Sequence, residues 1–404
     1  MVGVLARRHA AEIDLTLPGA DAPGRGRIQV GGISGASVHT IITTPDEPVI
    51  ILTNDGREVA SFSLRPELAS GPGTQDAPAL GDYPALAEAA ASALARRLYD
   101  PELARSTQVR SYLAQLRGNA ERARDDVEFI FGAAVAGRNH LSTSLPLIFK
   151  SPGEDSMRLL TAFRAAGDRS PIRVEFDDEQ GLAVLRVDAF IDAADVDAAM
   201  NAVIAHEPAV RGLVIDLWQT PGVTLASLAL LPWLLDAPTE VGQVIGPQQR
   251  SAVLSGDSSA LDAVDISTAG DIDRLEGLID LGGGAAIRVV PRPERFTGPV
   301  AVVIGRRTTT TAEPLAWTLQ RTGRARLFGR PTPGRPLISR PEELGQGWVV
   351  WLPAAQWRDT SGQPRPLELG RGVRPSESAD RSPAREAARR WVRARFEQAD
   401  AVEP

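Results

Sequence analysis

The chain has 404 residues, enough for two or three domains, and a formal charge of −7 at pH 7. Its 44 lysines and arginines are scattered among 51 acids, which argues against nucleic acid or an anionic membrane as a partner. Cysteine is absent, which excludes disulfides, thiolate metal sites and a cysteine nucleophile. Only four histidines are present, so we expect no multi-histidine metal centre and no cofactor.

Two features of the sequence bear on location. The N-terminal stretch MVGVLARRHAAEIDL has no long apolar core, so no signal peptide is predicted. The most apolar helical run, Leu225–Leu235, is too short to span a bilayer. The default expectation is a cytoplasmic protein without a membrane partner. The oligomeric state stays open, with a homo-oligomer as one possibility.

The first 67 residues alternate between short apolar runs and turns. The runs Ile28–Val30, Val38–Thr43 and Val49–Thr53 predict a small antiparallel β segment. Residues 68–82 are rich in Gly, Pro and Ala and are interpreted as a linker.

Residues 83–150 are predicted to form a helical subdomain. Apolar residues follow i, i+3 and i+4 spacing through Tyr83–Gly137. Asp125 and Asp126 stand before an apolar stretch and suit a helix start.

From Pro171 onward the pattern alternates between strands and helices and predicts an α/β domain. Ile172–Phe176 and Leu182–Val187 flank a hairpin turn, and Asp192 is a plausible cap for an amphipathic helix. Gly212–Leu217 has the continuous apolar character of a strand buried in a parallel sheet. Further strands are predicted at Pro299–Ile304, Ala325–Phe328 and Trp348–Leu352, a surface insertion at Gly256–Glu294 and a closing helix at Ser382–Phe396.

The stretch Thr308–Thr322 (TTTTAEPLAWTLQRT) follows the apolar run Pro299–Ile304. A strand, a tight turn and a helix in succession present a hydroxyl at the positive end of the helix. Backbone N–H groups there can stabilise a developing negative charge. Thr310, or a neighbouring threonine, is therefore the first candidate for chemistry.

Three segments together resemble the C-terminal-processing (tail-specific) serine proteases. GLVIDLWQTPGV is similar to their GLVIDLRxNPGG, GPVAVVIGRRTTTTAEPLAW to their GPVxVLVNxxTASAAExxAxA, and the stretch ending GRGVRPS to their GxGVxPD. The resemblance covers roughly Pro171–Pro375 and implies a crotonase-like (ClpP/crotonase) ββα core at residues 171–378, with a C-terminal helix and tail at 379–404. It is closer to the branch without a PDZ domain, which includes interphotoreceptor retinoid-binding-protein-like and tricorn-like members.

The resemblance implies site residues one by one. The family's serine lies three residues before the Glu of SAAE, which places Thr310 in the nucleophile position. The lysine base of one branch falls on Arg335, which cannot act as a base but could pair with a peptide carboxylate. In the branch without lysine a histidine is the base, and His140 is its only counterpart here.

The remaining implied positions are the orienting acid and the oxyanion site. Glu368 stands one residue before the family's glutamate, which would turn its side chain to the other face of an extended segment. The N–H groups of Gly222 and Thr311 occupy the oxyanion donor positions. Trp218 replaces the arginine that usually precedes this glycine, which would make the mouth of the site more apolar.

Structural roles remain open for the same residues. The γ-methyl group of Thr310 crowds the attack trajectory, and an internal threonine lacks the N-terminal amine that usually activates one, so it could merely cap a helix. His140 and Asp216 could be structural, and the arginines of the last helix, Arg385 among them, could form a solvated face.

Three functions therefore compete. The first is a hydrolase or acyl-transfer enzyme acting on a peptide or peptide-like substrate through Thr310. The second is a protease-like protein that has lost its chemistry and binds a peptide or a small apolar ligand. The third is an isomerase, epimerase or cyclase acting on a biosynthetic peptide.

Overall fold

The computed structural model describes residues 11–16, 25–30, 40–43, 48–54, 57–63, 82–123, 126–141, 147–150, 170–222 and 224–400. Near the N-terminus, β1 (Ala11–Thr16) pairs antiparallel with β2 (Arg25–Val30). A second antiparallel sheet contains β3 (Thr40–Thr43), β4 (Pro48–Asn54) and β5 (Arg57–Ser63). The predicted linker lies almost wholly outside the described residues, and the division into domains stays a prediction.

Four helices follow: α1 (Tyr83–Arg97), α2 (Pro101–Ala104), α3 (Thr107–Arg122) and α4 (Asp126–His140). Asp82 caps α1 by accepting a hydrogen bond from the N–H of Ala85, and Ser106 caps α3 in the same way. Asp126 begins α4 as predicted, whereas Asp125 lies outside the described residues. Phe129 stacks on Tyr83 at 5.2 Å and meets Trp348 edge-on at 5.4 Å, so apolar side chains join the helices to a later strand.

The rest of the chain alternates strands with helices. Its elements in chain order are β6 (Leu147–Lys150), β7 (Ile172–Asp177), β8 (Leu182–Val187), α5 (Ala193–Ile204), β9 (Gly212–Asp216), β10 (Pro221–Gly222), α6 (Leu231–Leu234), β11 (Thr239–Ile245), α7 (Arg250–Leu254), β12 (Asp262–Ile266), α8 (Ala269–Asp280), β13 (Ala285–Val289), β14 (Val300–Ile304), β15 (Thr309–Thr310), α9 (Ala312–Arg321), β16 (Ala325–Gly329), β17 (Leu337–Gly345), β18 (Trp348–Arg358), β19 (Glu377–Ser378) and α10 (Arg381–Asp400). Short 3₁₀ helices cover Asp178–Gln180, Leu225–Leu230 and Ser258–Ala260.

The first large sheet has the strand order β19-β16-β14-β9-β8-β7 and is parallel except for β7. Every residue of β9 and of β14 is buried, as expected for strands covered on both faces. The predicted hairpin of β7 and β8 and the Asp192 cap of α5 are confirmed. Helix α10 covers one face so closely that a Cβ on Gly212 would lie 2.1 Å from Val392.

The second large sheet has the order β12-β13-β11-β18-β17, with β6 also pairing with β18. The prediction of an irregular surface insertion at Gly256–Glu294 is wrong, because this stretch forms β12, α8 and β13. A capping box of Thr268 and Asp271 begins α8. Its buried positions are Ile272, Leu275 and Ile279.

The candidate site lies just beyond the carboxyl ends of β9 and β14. There the short strands β10 and β15 pair in parallel, with Gly222 opposite Thr310. Ligands of open parallel sheets usually bind at such carboxyl ends. Within the described ranges, no helix has the length and apolar character needed to cross a membrane.

Candidate functional site

Thr310 occupies a sharp turn between β14 and α9. Its φ is +53°, which is rare for any residue other than glycine and costly for a β-branched one. Such an outlier persists only where its surroundings hold it, and outliers of this kind cluster at functional sites. This backbone conformation therefore fixes the Thr310 hydroxyl beside the start of α9.

The Thr310 hydroxyl faces two backbone carbonyls. Its Oγ1 contacts the carbonyl oxygen of Gly222 and lies 2.8 Å from that of Thr309. A hydroxyl has one proton to donate, and both neighbours are acceptors. Among the described residues, no histidine, lysine or carboxylate hydrogen-bonds this oxygen.

Gly222 fits tightly against the start of α9. A Cβ there would lie 2.1 Å from Thr311 Oγ1 and 2.6 Å from the backbone nitrogens of Thr311 and Ala312. The group that Gly222 turns toward the Thr310 hydroxyl is its carbonyl oxygen, and not the N–H that the oxyanion prediction requires. The two predicted donor residues are thus neighbours, as the resemblance implies, but their donor role stays a prediction.

Thr311 anchors the loop that carries Gly222. It is buried and precedes α9, and its Oγ1 donates to the carbonyl of Thr224 at 2.6 Å. Its own carbonyl accepts a hydrogen bond from Ser227 Oγ at 2.9 Å. These two bonds fix the start of α9 to the segment that follows β10.

Glu313, in the first turn of α9, has a side chain that organises the neighbouring loop. It is 0% exposed, and its Oε1 accepts hydrogen bonds from Thr332 Oγ1 at 2.5 Å and from the N–H of Gly334 at 2.7 Å. Its Oε2 accepts the N–H of Arg335 at 2.6 Å. Burial raises the pKa of this carboxyl, and the three donors oppose that shift. Glu313 therefore holds residues 332–335 against α9.

His140, the predicted base, ends α4 and binds a neighbouring helix. Its Nε2 lies 2.9 Å from Oε1 of Gln115 on α3. No hydrogen bond joins it to Thr310 or Glu368 in the described part of the chain. Of the other histidines, His206 pairs with Asp178 at 2.8 Å and stacks on Phe176, and His9 and His39 lie outside the described residues.

Glu368 and Arg335 both stand at the surface. The N–H of Glu368 bonds the carbonyl of Arg371 at 3.1 Å, and its carboxylate pairs with the Arg371 guanidinium at 3.4 Å. The Glu368 side chain is 53% exposed and does not touch the Thr310 hydroxyl. Arg335 is pinned through its backbone N–H, while its exposed guanidinium forms no ion pair with the described carboxylates.

Trp218 packs on the α10 side of the parallel sheet. The predicted apolar mouth would instead need its ring beside the Thr310 site. Its ring covers the backbone of Gly305 and Gly329 and packs with the apolar cluster under α10. The preceding Asp216 is buried, accepts the N–H of Trp218 at 3.1 Å and pairs with Arg385 of α10. Arg385 is therefore not part of a solvated face, because the chain uses it to neutralise a buried carboxylate.

The described part of the chain is a mixed α/β protein, and comparison with known proteins relates it to peptidases. The model of peptidase family S41 matches residues 181–376. Residues 181–376 therefore belong to this family, as the three sequence segments indicate. No curated protein matches it.

Several solved structures are similar to this chain at low sequence identity. A lipoprotein from Streptococcus agalactiae is similar at 13% identity and a TM-score of 0.50, over 80% of this chain and 100% of that one. The photosystem II D1 C-terminal processing protease is 13% identical at a TM-score of 0.42, over 78% of this chain and 98% of that one. The tricorn protease is 9% identical at a TM-score of 0.48, over 93% of this chain and 42% of that one.

Sequence reasoning missed the role of Glu313. In the sequence Glu313 marks only the position from which Thr310 is placed, although a glutamate on the buried side of a helix start signals an unusual environment. Its partners lie 19 to 22 positions later in the chain, so that role could not be read locally.

Proposed function

We propose that this chain is a protease-like protein that binds a peptide or peptide-like molecule beside the start of α9 without cleaving it. The observation that carries the proposal is the pair of carbonyl oxygens at the Thr310 hydroxyl. A nucleophilic hydroxyl must give its proton to a base, and this hydroxyl gives it to the backbone. The crotonase-like core implied by the sequence resemblance is part of the same proposal.

Two further observations support the loss of hydrolysis. Lys150 is the only lysine of the chain and belongs to β6 at the second sheet, so another lysine cannot replace the one missing at Arg335. The two described histidines are hydrogen-bonded to Gln115 and Asp178. Activation of Thr310 thus lacks a proton acceptor among the described residues.

The binding surface in this proposal contains the turn at Thr310 and the loop held by Glu313. The exposed guanidinium of Arg335 belongs to that loop and suits a carboxylate of the bound peptide. Its backbone N–H is already used by Glu313, so the side chain alone remains for a ligand. Backbone groups at the start of a helix are suited to the polar groups of a peptide.

A fluorophosphonate probe that labels activated hydroxyls tests the proposal. We expect no labelling of the wild-type chain, and no labelling of the Thr310→Ala variant under the same conditions. A library of unmodified peptides incubated with both proteins should be recovered uncleaved, as judged by mass spectrometry. Labelling at Thr310 or Thr310-dependent cleavage would contradict the proposal.

Hydrolysis through Thr310 is the second candidate, and the positive φ of Thr310 favours it. A strained β-branched residue costs on the order of 1–3 kcal/mol, which a purely structural turn could avoid with glycine. Under this alternative Thr310→Ser, which removes the crowding methyl group, keeps or raises cleavage, while Thr310→Ala abolishes it. A product of unchanged mass would instead indicate an isomerase, epimerase or cyclase.

The cytoplasmic location, the lack of a nucleic-acid, membrane or cofactor partner, and a homo-oligomeric state remain predictions from the sequence. Each can be checked on the purified full chain and on cell fractions.

A further inference from the structure

The segment that follows β10 is anchored by a distant part of the chain. Leu225 is fully buried and begins a 3₁₀ helix, and its N–H donates to Oε1 of Glu276 at 2.7 Å. Glu276 belongs to α8, the helix between β12 and β13 of the second large sheet. The first N–H groups of a helix have no partner within it, and a buried N–H without a partner is costly. Helix α8 therefore supplies the acceptor that this segment needs.

The same segment, residues 224–227, is bonded to the start of α9. Thr311 Oγ1 donates to the carbonyl of Thr224 at 2.6 Å, and the Thr311 carbonyl accepts a hydrogen bond from Ser227 Oγ at 2.9 Å. Because Thr311 directly follows Thr310, a movement of this segment shifts the turn that carries the candidate hydroxyl. The carboxylate on α8 is thus coupled to the candidate site through the segment.

One arginine and two acids act on the Glu276 carboxyl. Its Oε1 lies 3.5 Å from Nη2 of Arg340 on β17, a side chain that is only 7% exposed. Asp273 and Asp280, on α8 itself, oppose this attraction, and Asp280 also pairs with Nε of Arg340 at 2.9 Å. Burial raises the pKa of Glu276, and Arg340 opposes that shift.

Other elements also pack against α8. The 3₁₀ helix Leu225–Leu230 has no titratable side chain. Helix α5 and strands β12 and β18 pack there as well, and their charged residues are Asp195, Asp197, Asp262, Asp265 and Arg358. Of these, Asp197 pairs with Arg292 and Asp265 with Arg288. Arg340 is therefore the cation that attracts the Glu276 carboxylate.

The bond between Glu276 and Leu225 depends on pH by linkage. A local opening that breaks this bond lets water reach the carboxyl, so its pKa returns toward the ordinary 4.5. Between pH 4.5 and the pKa of the closed state, opening releases a proton. Opening therefore becomes easier as pH rises through this window.

We propose that Glu276 is a positioning residue of the Thr310 site, which holds residues 224–227 against the start of α9 and releases them as pH rises. The inference rests on the proposed function for the identity of the site, but its test needs no ligand. Labelling of Thr310 by the fluorophosphonate probe would contradict the proposed function and leave this inference standing.

Hydrogen exchange of the full chain, followed by mass spectrometry between about pH 4 and pH 8 and corrected for the intrinsic exchange rates, tests the proposal. We expect the protection of residues 224–230 and 309–315 to fall by up to about tenfold per pH unit inside the window, because opening releases one proton. Glu276→Gln keeps an oxygen that accepts the Leu225 N–H but cannot ionise, so protection should remain and its pH response should vanish.

Two further variants complete the test. Glu276→Leu has no acceptor and should lower the protection of both segments at every pH. Glu386→Gln removes an exposed carboxylate on α10, so this matched control should behave as the wild type does. If Glu276→Leu does not fold, the comparison of the wild type with Glu276→Gln still decides.

Three results would overturn the proposal. The first is a parallel pH response in the wild type and Glu276→Gln. The second is protection of both segments equal to that set by global unfolding in urea, which would make Glu276 a purely structural residue. The third is a response of residues 224–230 to Glu276→Leu that residues 309–315 do not share.

Discussion

Glu313 and Glu368 lie beside the same pair of crossing loops, yet their surroundings are opposite. The loops meet where the N–H of Gly370 bonds the carbonyl of Gly334 at 2.7 Å. Glu313 is fully buried with three hydrogen-bond donors, whereas Glu368 stands at the surface with only the Arg371 pair. The buried carboxylate shapes the backbone of the site, and the exposed one does not reach the hydroxyl. The carboxylate that holds the loops in place is therefore different from the one that the sequence predicts for the chemistry at Thr310.

Neutralising each carboxylate in turn tests this difference most directly. Glu313→Gln turns an amide NH₂ toward backbone donors and should lower the free energy of unfolding by about 3 kcal/mol. Glu368→Gln loses only an exposed pair and should change it by less than about 0.5 kcal/mol. Urea denaturation measures the free energy of unfolding of both variants. Equal losses would show that the two carboxylates stabilise the fold equally.

A second contrast compares two glycines. Gly222→Ala forces a methyl group into the backbone of Thr311 and Ala312 and should cost about 2 kcal/mol. Gly277, within α8, has open space around its Cβ position, so Gly277→Ala should stabilise the chain by about 0.5–1 kcal/mol. The midpoint of thermal unfolding should therefore fall for Gly222→Ala and rise for Gly277→Ala. A stable Gly222→Ala variant would mean that the site tolerates a looser approach of β10 and α9.

The last prediction concerns Glu276 on α8, a third carboxylate. It accepts the N–H of Leu225 at 2.7 Å, just after the site loop, and lies 3.5 Å from Arg340 Nη2. Burial raises the pKa of Glu276, and Arg340 opposes this shift. Between pH 4.5 and the folded-state pKa, Glu276 keeps its proton in the folded chain but loses it in the unfolded chain. Its contribution to the free energy of unfolding therefore falls as pH rises through this window.

Glu276→Gln should remove that part of the pH dependence. We expect the free energy of unfolding of the wild type, relative to the variant, to fall as pH rises through the window. Urea denaturation at a series of pH values from about 4 upward measures the difference. Parallel pH profiles of the two proteins would contradict the assigned cause.

Much of the fold could be predicted because its signals are local. The apolar runs of β9 and β14, the β7–β8 hairpin and the Asp192 cap each show in a few consecutive residues. The prediction for Gly256–Glu294 is wrong because glycines and acids interrupt the helical spacing of the apolar residues in α8.

The site was harder to predict because its contacts join distant parts of the chain. The turn at Thr310 was predicted from the strand, turn and helix pattern, and its closeness to Gly222 was implied by the family resemblance. The direction of the Gly222 carbonyl, the side of the sheet on which Trp218 packs and the partners of Glu313 depend on three-dimensional packing. No spacing rule in the sequence encodes them.

Helix α10 has a consequence for how the chain is made. Its apolar residues Ala384, Ala388 and Val392 cover Val214 and Val303 of the parallel sheet. Because a ribosome releases the N-terminal strands first, this sheet face stays bare until the segment from Arg381 onward emerges. A nascent chain that stalls before that point would expose apolar strands, so chaperone capture should concentrate on the interval before α10 emerges.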